Sequence, residues 1–131
     1  MIFHLQLIGI ICIFLSLVHF FFPKYFKWKD ELSKLSLINH QMMIIHTFFI
    51  GLILFLMGIL CITQGQPLIN TELGKLITIG MAIFWSCRWL TQWFGYSKSL
   101  WKGKKFETTV HILFVILWTY FSAALWYIGL M

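Results

Sequence analysis

Residues 35–71 read LSLINHQMMIIHTFFIGLILFLMGILCITQGQPLINT and contain no Asp, Glu, Lys or Arg. Three further stretches, residues 1–23, 76–97 and 108–131, are similarly apolar, and Arg88 is the one charged residue within them. Each stretch has the roughly 20 apolar residues that an α-helix needs to cross about 30 Å of hydrocarbon. The sequence therefore predicts four transmembrane helices, near residues 2–22, 39–63, 73–95 and 107–130.

The composition of the whole chain agrees with a membrane protein. Of its 131 residues, 60% are hydrophobic and 11% are charged, whereas a soluble domain carries roughly 25% charged residues. Backbone groups in lipid must be hydrogen-bonded within the protein, and long segments without alternation favour helices over barrel strands. We therefore expect a single all-α domain over residues 1–131, an integral membrane four-helix transmembrane bundle with antiparallel up-down-up-down order.

The lysines predict how the helices are oriented in the membrane. Eight of the nine lysines lie in the first and third connections between the predicted helices, and the second connection is nearly uncharged. By the positive-inside rule the lysine-rich side is cytoplasmic, which places the N- and C-termini on the non-cytoplasmic side of a multi-pass protein in the plasma (inner) membrane. The net charge of +6 does not indicate nucleic-acid binding, because no basic stripe is present. We expect contact with anionic lipid at Lys24, Lys27, Lys102, Lys104 and Lys105.

A few polar side chains fall inside the apolar segments. An ionisable group there costs about 2.5–3.5 kcal/mol on insertion scales, so each needs a partner or a cavity. At 1.5 Å per residue, one such group from each helix lies roughly 6–11 Å below the cytoplasmic interface. Residues three or four positions away from these groups lie on the same helix face and therefore belong to the same layer. The sequence predicts that one inward-facing layer contains His19, His46, Trp85, Arg88, Gln92, Glu107 and His111. A purely structural role, with His19 at the headgroups and Arg88 setting helix register, is the alternative.

The first functional hypothesis is a redox cofactor or a metal. Imidazoles are common ligands of haem iron and of other transition metals. His46 and His111 could ligate a haem b or a metal ion, with Arg88 paired to a propionate and Trp85 packed on the ring.

The second hypothesis is a pocket for a quinone or a lipid-like small molecule. Arg88 and Gln92 would hold its polar group, and His19 lies in the same layer. If the chain is an enzyme, His46 or His111 would be the general base, with Glu107 tuning His111. No nucleophile or phosphate-loop motif is present, so the question of catalysis stays open.

Two further hypotheses concern assembly. The chain could be an accessory subunit or assembly factor of a larger membrane complex, because it is small and has no soluble domain. It could also be a homo-oligomeric ion or proton transporter, although the nearly apolar outer half argues against a continuous pore through one bundle. Cys12, Cys61 and Cys87 are odd in number and have no close spacing, so we expect buried thiols and no disulfide or zinc site.

Overall fold

The computed structural model describes residues 1–131 and contains helices and connections only, with no β-strand. Seven α-helices follow one another: α1 (Ile2–His19), α2 (Phe22–Tyr25), α3 (Trp28–Glu31), α4 (Leu37–Thr63), α5 (Gly65–Asn70), α6 (Glu72–Phe94) and α7 (Lys105–Leu130). Short 3-10 turns at Leu32–Lys34 and Lys98–Leu100 precede α4 and α7. The four long helices begin and end within three residues of the predicted bounds 2–22, 39–63, 73–95 and 107–130.

Three helices, α1, α4 and α7, are long and apolar enough to cross a membrane. Helix α6 has 23 residues, but it carries Glu72, Lys75 and Arg88 and is not among these three. The prediction of an all-helical chain is therefore confirmed, and three candidate spans indicate a membrane protein. The fourth crossing, the order of the bundle and the sides of the termini stay predictions.

Side-chain caps set where two of the long helices begin. The hydroxyl of Ser36 accepts a hydrogen bond from the Asn39 N–H at the start of α4, and that of Thr71 accepts from the Gly74 N–H at 2.9 Å at the start of α6. Such caps satisfy N–H groups that have no partner within the helix. The sequence did not predict α2, α3 and α5, because helices of four to six residues are too short to show a hydrophobic period.

The first compact unit comprises residues 2–65. Its long helices α1 and α4 pack antiparallel, and their seam buries Leu5, Ile8, Cys12 and Leu15 of α1 and Leu54 and Cys61 of α4. At Gly9 and Gly58 the two backbones approach closely, since a Cβ built on either glycine would lie 2.7 Å from the carbonyl oxygen of the other. Glycine permits this approach, as small residues do between helices in membranes.

The second compact unit comprises residues 66–131 together with Met1. Helices α6 and α7 pack antiparallel, with Gly129 near Ile79 at one end and Gln92 bonded to His111 at the other. The core between them includes Ala82 and Leu125, which are fully buried. This register brings the polar residues late in α6 opposite the early turns of α7, beside the connection of residues 95–104.

Candidate functional site

Stacked aromatic rings line the α6–α7 hairpin. The Trp118 indole stacks on Trp85, with ring centroids 4.9 Å apart and 19° between the planes, and on Phe114 at 5.4 Å and 3°. Phe121 meets Trp85 edge-on at 4.9 Å and 89°. Such pairs contribute roughly 0.5–1.5 kcal/mol each beyond burial. We call Trp85, Phe114, Trp118 and Phe121 the aromatic wall, a fixed surface beside which the polar groups lie.

Gln92 links the aromatic wall to His111 through two hydrogen bonds. The Trp118 Nε1–H donates to Gln92 Oε1 at 3.4 Å, and Gln92 Nε2 donates to His111 Nδ1 at 2.9 Å. An indole nitrogen can only donate, so it fixes which end of the Gln92 amide is the oxygen. His111 Nδ1 is then an acceptor, and the hydrogen of the neutral ring lies on Nε2.

Two indoles enclose the His111 ring. Trp101, from the connection before α7, stacks on it with centroids 3.9 Å apart and 8° between the planes, and Trp93 meets it edge-on at 5.9 Å. The Thr108 hydroxyl donates to the Trp101 carbonyl oxygen at 2.6 Å, which holds that connection against α7. His111 is buried, and no protein group accepts a hydrogen bond from its Nε2. His111 therefore presents one hydrogen-bond donor for a ligand.

Arg88 lies one turn before Gln92 and contacts the same indole. Its guanidinium carbon is 5.3 Å from the centre of the Trp118 ring and 5.6 Å from that of Tyr96. Nη2 donates to the Tyr96 hydroxyl at 3.5 Å, and Nη1 is buried without a hydrogen-bond partner. The Trp118 indole therefore has Arg88 on its ring and Gln92 at its nitrogen, which joins the two polar groups into one site.

The contacts of Arg88 stabilise its charge only in part. Taking a charged group out of water costs several kcal/mol unless it is paired and hydrogen-bonded. A cation–π contact contributes about 0.5–2 kcal/mol, while a hydrogen bond as long as 3.5 Å contributes little. Because a buried unpaired N–H costs a further 1–3 kcal/mol or so, the balance leaves Arg88 able to bind an additional acceptor.

The histidines of the first unit have other surroundings. His19 Nδ1 donates to the Leu15 carbonyl oxygen of its own helix at 2.7 Å, and the ring packs against Phe22 at 4.7 Å. Since a carbonyl oxygen only accepts, the Nε2 of a neutral His19 has a lone pair. His46 lies on an exposed face of α4.

Of the predicted layer, the structure brings Trp85, Arg88, Gln92 and His111 together around Trp118. Glu107 is exposed at the start of α7, and the Nδ1 of His111 is bonded to Gln92 across the hairpin. His46 and His111, the predicted metal pair, belong to different units. No three His, Cys, Asp or Glu side chains lie close enough together to hold a metal ion.

Three site residues were not in the predicted layer: Trp118, Trp101 and Tyr96. Trp118 is seven residues after His111, and helical spacing alone predicts that both lie on one face of α7. Trp101 and Tyr96 lie outside the long helices, and aromatic residues near a membrane surface usually anchor at the headgroups. The sequence contains no signal for their packing against His111 and Arg88.

The chain matches no protein-family model, no curated protein and no solved structure.

Proposed function

We propose that the chain is a four-span membrane protein whose α6–α7 hairpin binds a quinone- or lipid-like amphipathic small molecule. The observation that carries the proposal is the buried Arg88 Nη1, which has no hydrogen-bond partner. Next to it in the Gln92–Trp118 network, His111 accepts from Gln92 at Nδ1, which leaves its Nε2–H as a second donor. Both donors lie in an aromatic setting that suits the ring or chain of an amphiphile. The ligand's polar end is therefore one that accepts hydrogen bonds.

The fourth crossing is supported by the pairing of α6 with α7. At 1.5 Å per residue, the 23 residues of α6 extend over about 34 Å, enough for the hydrocarbon core. Contacts from Ile79 with Gly129 to Gln92 with His111 keep α6 beside the apolar α7 over most of that length. The pairing of α6 with α7 and the concentration of the lysines in two connections both favour up-down-up-down order, with both termini outside the plasma (inner) membrane.

A quinone-like or lipid-like headgroup fits the donors better than a metal does. A carbonyl or phosphate oxygen can accept a hydrogen bond from either donor, His111 Nε2–H or Arg88 Nη1. In the observed network neither His111 nitrogen offers a lone pair, because Nδ1 accepts from Gln92 and Nε2 has the hydrogen. Ligation of haem b or a metal ion by His111 would require the Gln92 amide to turn over, which would break its bond with Trp118. Arg88 and His111 are thus the ligand-holding pair, while Gln92 orients His111 and Trp85 lies in the wall.

Binding of a quinone tests this proposal directly. The protein, purified in detergent, is titrated with an alkylated benzoquinone while tryptophan fluorescence is followed. We expect saturable quenching, because six of the seven tryptophans lie on residues 85–126. His111→Leu and Gln92→Leu should each weaken binding about tenfold, which corresponds to about 1.4 kcal/mol, the size of one hydrogen bond.

Gln6→Leu provides the matched control. Gln6 is exposed on α1, so the same chemical change there should leave the binding curve unaltered. Each variant is first compared with the wild type in helix content and elution volume. Quenching that never saturates, or that is equal in all variants, would contradict the proposal. If His111→Leu instead released a partner protein without changing quinone binding, the accessory-subunit hypothesis would be favoured.

A further inference from the structure

We infer that the polar end of the ligand is an oxyanion, a phosphate or a carboxylate, held by Arg88. The inference rests on the proposed function, since it specifies the charge of the amphiphile that the α6–α7 hairpin binds. The observation that carries it is a guanidinium with no counter-charge: Nη1 is buried and unpartnered, and the one hydrogen bond of the side chain, from Nη2, goes to the neutral Tyr96 hydroxyl.

The chain has no acid that neutralises Arg88. It has four acidic residues, and none of them forms an ion pair or a hydrogen bond with the guanidinium. Arginine cannot lose its proton in a protein, so the positive charge persists within the helix segment. An intramembrane arginine generally pairs with an anion or with carbonyl groups. An anionic ligand would supply the missing charge and would accept from Nη1.

The neighbouring polar atoms also select for an acceptor. Gln92 Oε1 is engaged by Trp118, and His111 Nδ1 by Gln92. The Tyr96 hydroxyl accepts from Arg88 and can donate its own hydrogen. The groups left for a ligand are therefore donors: Arg88 Nη1, His111 Nε2–H and the Tyr96 O–H. A headgroup whose polar atoms are N–H or O–H donors would leave these three protein donors unpaired. The negatively charged oxygens of an oxyanion would accept hydrogen bonds from them.

The surroundings favour an anion attached to an apolar tail over a free anion. Arg88 and Gln92 contact Trp118, and Trp118 stacks on Trp85 and Phe114. A small hydrated ion would gain nothing from these rings and would have to lose its water. Trp85 and Trp118 are themselves buried, but Tyr96 beside Arg88 and Trp93 beside His111 are 44% and 46% exposed. An acyl or prenyl chain would cover these two rings at no such cost.

The test compares amphiphiles with one tail and different heads. The full-length protein is placed in nanodiscs of zwitterionic lipid and exposed to dodecyl phosphate, dodecanoate or dodecanol at equal mole fractions, and to inorganic phosphate and acetate as free anions. Binding is read from tryptophan fluorescence. We expect at least one anionic amphiphile to bind ten- to a hundredfold more tightly than dodecanol, the range of a hydrogen bond to a charged group.

Variants distinguish Arg88 from the general positive charge of the protein. Arg88→Gln should abolish the preference for the anion, and Arg88→Lys should restore part of it. Lys75→Gln removes a charge from the same helix, where Lys75 donates only to the Met131 carbonyl oxygen at 3.4 Å, and should leave the preference unchanged. The double variant Lys104→Gln/Lys105→Gln measures how much of the anion binding is due to the exposed lysines alone.

Each outcome decides between the two proposals. If dodecanol binds as tightly as both anions, or if Arg88→Gln keeps the full preference, the oxyanion inference is wrong while quinone binding still stands. If inorganic phosphate or acetate binds as tightly as the matched amphiphile, Arg88 binds a free anion, and the inference that the ligand has an apolar tail is wrong. If neither anionic amphiphile binds, the inference fails, and the quinone titration alone decides the proposed function.

Discussion

Replacing Gly58 with alanine should separate α1 from α4. A Cβ at this position would lie 2.7 Å from the Gly9 carbonyl oxygen and 2.6 Å from Ile13 Cγ1. Ordinary contact begins near 3.4 Å, so the backbones must move apart by about 0.7 Å, a gap that forfeits a quarter to a half of each dispersion contact along the seam. Overpacking costs about 1–3 kcal/mol, and the higher helix propensity of alanine returns at most about 1 kcal/mol. We expect a net loss of about 1–2 kcal/mol.

The buried thiols of the first unit provide the assay. Cys12 and Cys61 are fully buried in the first unit, and Cys87 of α6 is exposed. In a Cys87→Ser background, labelling by a maleimide during a titration with sodium dodecyl sulphate therefore reports opening of the first unit. A loss of 1–2 kcal/mol raises the open population about 5- to 30-fold. The midpoint of the Gly58→Ala variant should fall accordingly.

Two other glycines make the series decisive. At Gly51 an added Cβ would meet its nearest atoms at 3.5 Å, which is ordinary contact, and at Gly80 it would meet nothing within 4 Å. Gly51→Ala and Gly80→Ala should therefore be neutral or slightly stabilising. If all three variants shared the wild-type midpoint, or if Gly51→Ala were the most destabilised, the close approach of Gly9 and Gly58 would not be what holds α1 against α4.

Two further predictions test the hydrogen-bond network and the topology. Since a carboxylate cannot donate a hydrogen bond, Gln92→Glu should place a hydrogen on His111 Nδ1. The ¹⁵N spectrum of histidine-labelled protein should then show that Nδ1 changes from unprotonated to protonated, and His111→Gln identifies the signal. Gln6→Glu should leave the His111 signals alone, and a protonated Nδ1 in the wild type would refute the network. In a protein whose native cysteines are replaced by alanine, an impermeant maleimide added to intact cells or spheroplasts should label Gln64→Cys at once and Ser99→Cys only after lysis. Labelling of both from the same side would exclude the four-span topology.

The long helices could be predicted because length and charge decide them. Residues 35–71 have no charged side chain, and a segment this long and apolar has few alternatives to a helix in lipid. Helix α6 shows where this reasoning weakens, because Arg88 and the polar Gln92 lower its hydropathy and it is not among the three helices apolar enough to cross a membrane. Helices α2 and α3 depend on local turns that the apolar pattern does not describe.

The site was partly predictable, for a different reason. Trp85, Arg88 and Gln92 are spaced by three and four residues, so the sequence alone places them on one face of α6. Which residues of α7 lie opposite depends on the register of the hairpin. That register follows from contacts such as Gly129 with Ile79, and no single residue of the sequence specifies it. The stacking of Trp101 on His111 depends on the connection between the helices and could not be predicted.

The partner of His111 has the largest consequence for function. The sequence suggested Glu107, one turn earlier on the same helix, whereas the structure has Gln92 on the facing helix. A carboxylate only accepts, so it would have required a hydrogen on the imidazole nitrogen it faced and left the other nitrogen free to ligate a metal. The amide, fixed by Trp118, donates instead and turns His111 into a donor. With the Glu107 carboxylate outside this network, Arg88 is the one charged group there, and this uncompensated charge is why we propose a ligand that is itself negative.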